Sequence, residues 1–143
     1  MFSVEKSVHI DKPASDVFAF ISDFSNDAKW QHGLVSSKQT SDGPMGVGAT
    51  GQTVQKFMGR EMKNDLLVTT YEPPKRFGAK TTSGPVQFEM MCTLEEMSGG
   101  THVTVHMQGE PGGFFKVAEG MVKNELNKTL DNDFAKLKQV LEV

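Results

Sequence analysis

The spacing of apolar residues changes twice along the chain, and the order of those changes restricts the fold more than any single motif. Phe2, Val4, Val8 and Ile10 alternate with Ser3, Glu5, Ser7 and His9. That is the period of a strand with one buried face. Lys6 interrupts the buried row, as expected at a sheet edge or a strand end. At Pro13 the period becomes helical: Ala14, Val17, Phe18 and Ile21 follow the i, i+3, i+4, i+7 rule. Pro13 suits a first helical turn, Asp11 is placed to cap it, and Asp16 complements the positive helix end. Asp23, Ser25 and Asn26 end this helix, and Ser25 is expected to cap a second short one reaching about Trp30.

Strand periodicity then returns. Turn signals divide the next stretch into Leu34–Gln39, Ala49–Met58, Met62–Tyr71, Phe77–Thr82, Val86–Glu95 and Thr101–Gln108. The prolines at 73 and 74 cannot continue a central strand, and Ser98-Gly99-Gly100 suits a hairpin. Val86, Phe88, Met90, Cys92 and Leu94 share one face, as do Val103, Val105 and Met107. After the break at Gly109–Gly113 the period is helical to the end, through Ala118, Met121, Val122, Leu126, Leu130, Phe134, Leu137 and Leu141. At ~1.5 Å per residue that helix is about 40 Å long.

The order is therefore one strand, two short helices, six strands and one long helix. No linker or repeat divides it, so 1–143 reads as a single α+β domain. Short turns between consecutive strands make an antiparallel meander. A twisted sheet with one apolar face must cover that face, and only the last helix is large enough to do so. A curved sheet and a straight helix do not fill space perfectly, so a cavity between them is expected.

Composition narrows the function classes. Fifteen Lys and Arg against 18 Asp and Glu give a net charge of −3, with no basic run, so a nucleic-acid partner lacks its electrostatic footprint. No apolar stretch approaches the length of a membrane span. The N-terminus lacks the features of a secretory signal, so a cytoplasmic location is expected, and Asn127-Lys128-Thr129 is read as a chance glycosylation pattern. The single cysteine, Cys92, can build neither a disulfide framework nor a thiolate metal site. No cofactor is expected, and monomer and homodimer both remain open. The one bias is toward flexible and aromatic apolar side chains: 9 Met and 10 Phe against 1 Trp and 1 Tyr.

Five stretches in this order carry a family resemblance: IDKPASDVFAFISDF followed by Trp30, GPMGVGATG, QKFMGREM, YEPPKRF, and SGPVQFEMMCTLEEMSGGTHVTV. The sequence resembles the START-like, or SRPBCC, superfamily and within it the polyketide cyclase/dehydrase-like group. The resemblance implies a helix-grip fold, a seven-stranded antiparallel sheet wrapped around a long C-terminal helix, with two short helices after strand 1. It also implies a small hydrophobic or amphipathic ligand, such as a lipid or polyketide, held between sheet and helix. Some relatives cyclise, aromatise or dehydrate such ligands; other related folds are protein-interaction or stress-response modules.

On this reading the cavity wall draws on most strands. Phe57, Met62, Leu66, Phe77, Phe88, Met90, Val105 and Met107 are expected to face it. Met62, Asn64, Leu66 and Val68 share a face, so Asn64 either contacts a ligand or is held by a neighbour or a buried water. The family pattern turns Gly51, Thr53, Gln55 and Phe57 inward, which makes Gln55 a polar contact; the alternative is a solvent-facing residue. Trp30, at the family's recurring tryptophan position, is either an aromatic wall or a plug. In the family geometry Phe115, Ala118, Met121 and Val122 border the cavity opening, Leu126, Leu130 and Phe134 seal its base, and Gly112-Gly113 either permit gating or only turn the chain. The inward faces of Val86–Glu95 and Thr101–Gln108 show no acid or base. His102 and His106 fall on the outward face, His32 lies near the opening, and Cys92 is read as a buried inert thiol. Catalytic residues cannot be assigned from the residues alone. Holding an apolar molecule is therefore preferred over transforming one.

Overall fold

The computed structural model describes residues 1–111 and 119–142. Seven strands form one antiparallel sheet: β1 (Phe2–Ile10), β2 (Leu34–Gln39), β3 (Thr50–Phe57), β4 (Arg60–Glu72), β5 (Arg76–Ser83), β6 (Val86–Met97) and β7 (Gly100–Pro111). Helix α1 (Ala14–Ile21) and a 3₁₀ helix (Phe24–Lys29) follow β1, and α2 (Glu119–Leu141) follows β7. The strand order is β1-β7-β6-β5-β4-β3-β2. The meander runs from β2 to β7 as the turn signals require, and β1 returns beside β7 rather than β2. The two short helices thus carry the chain from one sheet edge to the other.

Position at the edge accounts for Lys6. Its ammonium reaches Asp131 of α2 at 3.1 Å, so a charge in the apolar row is tolerated where the helix overlies the outermost strand. The far end of α2 is tied to the same strand. Lys138 donates to the His9 carbonyl at 2.7 Å and pairs with Glu142 at 2.8 Å. The Glu142 carboxylate also accepts the Asp11 N–H at 2.8 Å. The core between α2, α1 and the concave face centres on Ile10, Val17, Val68, Val103, Val122 and Leu137, all sealed from solvent.

Two caps differ from expectation. Pro13 itself occupies the position before α1, and no side chain of its own segment caps the helix. Instead Glu96, at the end of β6, accepts the Ala14 N–H at 3.2 Å. Asp11 is turned toward His9, 3.2 Å away. At the 3₁₀ helix Asp23, not Ser25, is the cap: its carboxylate accepts both the Ser25 N–H at 2.9 Å and the Ser25 hydroxyl at 2.6 Å. A longer-reaching carboxylate takes both donors at once. The β6–β7 hairpin turns on Ser98 and Gly99, both at positive φ (52° and 78°), the two-residue geometry that matches strand twist.

Candidate functional site

The concave face of the sheet and α2 enclose a cavity of about 180 Å³. Its strand walls follow from the period of two. On β3 the set Thr53, Gln55 and Phe57 faces the cavity, because the opposite set points to the convex side. Met62 and Leu66 of β4 line it, with Phe77 and Ala79 of β5, Val86, Phe88, Met90 and Cys92 of β6, and Val103, Val105 and Met107 of β7. Burial pushes the Cys92 thiol up to about 12, so it stays protonated and is a poor nucleophile.

The helix wall follows the period of 3.6. Val122, Leu126, Thr129, Leu130, Asp133, Phe134 and Leu137 recur at steps of three, four and one along α2, all on one stripe, and all line the cavity. Met121 does not. It is 63% exposed, because the stripe that contains Val122 and Leu126 turns the preceding residue about 100° away. Its expected inward placement is corrected accordingly. Phe115, Ala118 and the Gly112-Gly113 pair lie outside the described residues.

Asn64 also departs from expectation. It is buried at 1% exposure on the inner face of β4, yet it is not part of the cavity wall. Met62 and Leu66 on either side of it do line the cavity, but the Asn64 Oδ1 reaches the β5–β6 turn, where a Cβ on Gly84 would collide with it. That oxygen has no hydrogen-bond partner.

The third wall is the 3₁₀ helix and the residues after it. Three residues per turn place Phe24, Asp27 and Trp30 on one face, and all three line the cavity. The Phe24 ring lies against Gly51 so closely that a Cβ there would stand 2.7 Å from it. The Trp30 ring stacks on Phe134, with centroids 6.4 Å apart. It is therefore a wall of the cavity and a brace against α2 together. Its indole Nε1 is buried and has no hydrogen-bond partner.

This end of the cavity holds two carboxyls that sequence reasoning missed. Asp27 and Asp133 are 7% and 6% exposed. Ser37 Oγ donates to Asp27 Oδ2 at 2.9 Å, and the His32 N–H donates to Asp133 Oδ1 at 2.7 Å. Loss of solvation raises the Asp27 carboxyl to about 7, against the lowering effect of the Ser37 bond. It raises Asp133 to about 6, opposed by the His32 N–H and the nearby imidazole. Both groups exchange protons near neutrality, where general acids and bases work best. His32 thus contributes through its backbone and is itself exposed. Tyr71 lies off the cavity, edge-on to Phe18 at 5.4 Å. His106 bonds Ser3 and His102 faces His9 on the convex side. Among the described residues no cluster of three His, Cys, Asp or Glu is placed to hold a metal ion, and no helix is long and apolar enough to cross a membrane.

The sequence and the fold can both be compared with known proteins. The model of the family described as polyketide cyclase / dehydrase and lipid transport matches residues 1–142. No curated protein matches the chain. A START superfamily protein from Mycobacterium smegmatis superposes with a TM-score of 0.85 at 17% identity, over 98% of this chain and 97% of that one. A conserved protein from Geobacillus kaustophilus gives 0.80 at 18% identity, over 98% and 95%. The di-domain ARO/CYC BexL from the BE-7585A biosynthetic pathway gives 0.78 at 19%, over 99% of this chain and 50% of that one. At these identities the likeness is one of fold.

Proposed function

The chain belongs to the polyketide cyclase, dehydrase and lipid transport family, and from that premise we propose that it binds a small hydrophobic or amphipathic molecule between the sheet and α2. The observation that carries this reading is the cavity itself: a mainly apolar space between sheet and helix whose lining includes two acidic groups, Asp27 and Asp133. Met62, Met90 and Met107 in its wall adapt to irregular shapes. An engineered cavity of about 150 Å³ holds benzene, so about 180 Å³ suits one ring with a short substituent. A longer lipid or a multi-ring polyketide requires the wall to move outward. Trp30, the sole tryptophan, reports occupancy through its fluorescence. Val105→Phe is the direct test. It keeps the wall apolar while filling the space, so the variant unfolds cooperatively and loses the fluorescence response to toluene. An unchanged response in the folded variant would sink the reading.

A second reading, a cyclase- or dehydrase-type enzyme, draws support from Asp27 and Asp133. Two carboxyls with proton affinities near neutral pH, facing a mainly apolar cavity, suit proton transfer to and from a bound hydroxyl or carbonyl. Asn at either position would then abolish turnover while leaving ligand affinity within a few-fold.

A further inference from the structure

The ligand cavity read above has a chemical preference written into one end. Besides the amides of Gln31 and Gln55 and the hydroxyls of Thr53 and Thr129 elsewhere in the lining, it offers the Trp30 indole N–H as donor, buried and without a partner. Its acceptors are Asp27 and Asp133, each with one oxygen bonded within the protein, to Ser37 and to the His32 N–H. Their second oxygens receive no hydrogen bond among the described residues. The indole stacks on Phe134, next in chain to Asp133, and Asp27 is one 3₁₀ turn before Trp30. Donor and acceptors therefore border the same end of the space. No Lys, Arg or His lines the cavity among the described residues.

We infer that the cavity selects an uncharged ring compound bearing a hydroxyl group, such as a phenol or cyclic alcohol, and rejects carboxylates. A hydroxyl is both acceptor and donor. Its oxygen takes the Trp30 N–H, and its proton goes to a free carboxyl oxygen. An apolar isostere leaves the indole N–H unpaired. A carboxylate brings a charge into a site with two acids and no cation, where burial without a partner is costly. An ammonium can reach the carboxyls but offers the indole no acceptor and must itself be desolvated.

This selection rests on the ligand-binding reading, and the test separates the two. Isothermal titration calorimetry at pH 8 compares toluene, p-cresol, benzoate and benzylamine on the full chain. One or two net hydrogen bonds make p-cresol bind about tenfold tighter than toluene, and benzoate binds at least tenfold more weakly than p-cresol. In Trp30→Phe, which keeps a ring against Phe134 but removes the N–H, toluene still binds and the preference for p-cresol falls below threefold. Equal affinity for toluene and p-cresol overturns the selection while leaving the cavity reading intact. So does benzoate or benzylamine binding as tightly as p-cresol, or a preference that survives in a folded Trp30→Phe variant. No binding of any of the four removes both.

Discussion

Replacing Asp27 by Asn should stabilise the protein, and by an amount that grows with pH. Folding carries this carboxyl from water into the cavity wall and raises it from 3.8 to about 7. Well below pH 3.8 it is protonated in both states and contributes no difference. As pH rises from 4 to 7 the unfolded chain ionises while the folded chain holds its proton, so the folded state binds more protons and stability falls. Above pH 7 the full difference applies, roughly 4 kcal/mol at ~1.4 kcal/mol per pH unit. That figure is a ceiling, because water drawn to the ionised group relieves part of it. Asn is neutral throughout and still accepts the Ser37 hydroxyl. Urea unfolding at pH 4.5 and 8.0 therefore gives a gap between variant and parent that widens by about 2–4 kcal/mol toward pH 8. Asp133 is present in both proteins, so its own titration cancels to first order. Parallel stability curves across this range would refute the claim that burial, rather than hydrogen bonding, sets the proton affinity of Asp27.

Two further outcomes follow from backbone positions. Gly51→Ala places a Cβ 2.7 Å from the Phe24 ring and pushes the 3₁₀ helix off the sheet. Overpacking of this kind costs about 1–3 kcal/mol in denaturant unfolding, and the emission maximum of Trp30, at the end of that helix, shifts with it; an unshifted spectrum contradicts the link. Ser98→Asn puts a residue that favours the left-handed region at φ 52°, completing an Asn-Gly turn. It raises stability by up to about 1 kcal/mol, and a lower urea midpoint would show that the Ser98 side chain has a role of its own.

The cavity joins two properties that oppose one another. Its walls are mainly apolar, yet burial of Asp27 and Asp133 is costly near neutral pH. A bound hydroxyl that pairs with one of them offsets that expense. Ligand-induced stabilisation should therefore be larger at pH 8 than at pH 5 for p-cresol and nearly flat for toluene, measurable as thermal shifts.

Much of this architecture was legible in the residues because it depends on local periods. Strand periodicity turned Met62, Leu66, Phe77, Phe88, Met90, Val105 and Met107 toward one face, the family resemblance added Phe57, and all of them line the cavity. A side chain's face on a strand is set by its position modulo two, whatever the sheet packs against. Helical residues are less determined. Met121 and Val122 are equally apolar, and only the docking of α2 on β1 fixes which of them is sealed. Asp133 carried a faint signal, three residues after Leu130 and four before Leu137, but a lone charge beside an apolar stripe ordinarily lies in solvent. Asp27 carried less, since its burial needs three residues per turn and a 3₁₀ helix lying on β2. Asn64 shows the converse: its face was legible, but the approach of the β5–β6 turn at Gly84 to its side chain was not. Local periods are enough to fix the strands, most of their inward faces and the helix that covers them. Which polar groups are enclosed depends on long-range packing, because burial of a charge is set by what lies opposite it rather than by its neighbours in the chain.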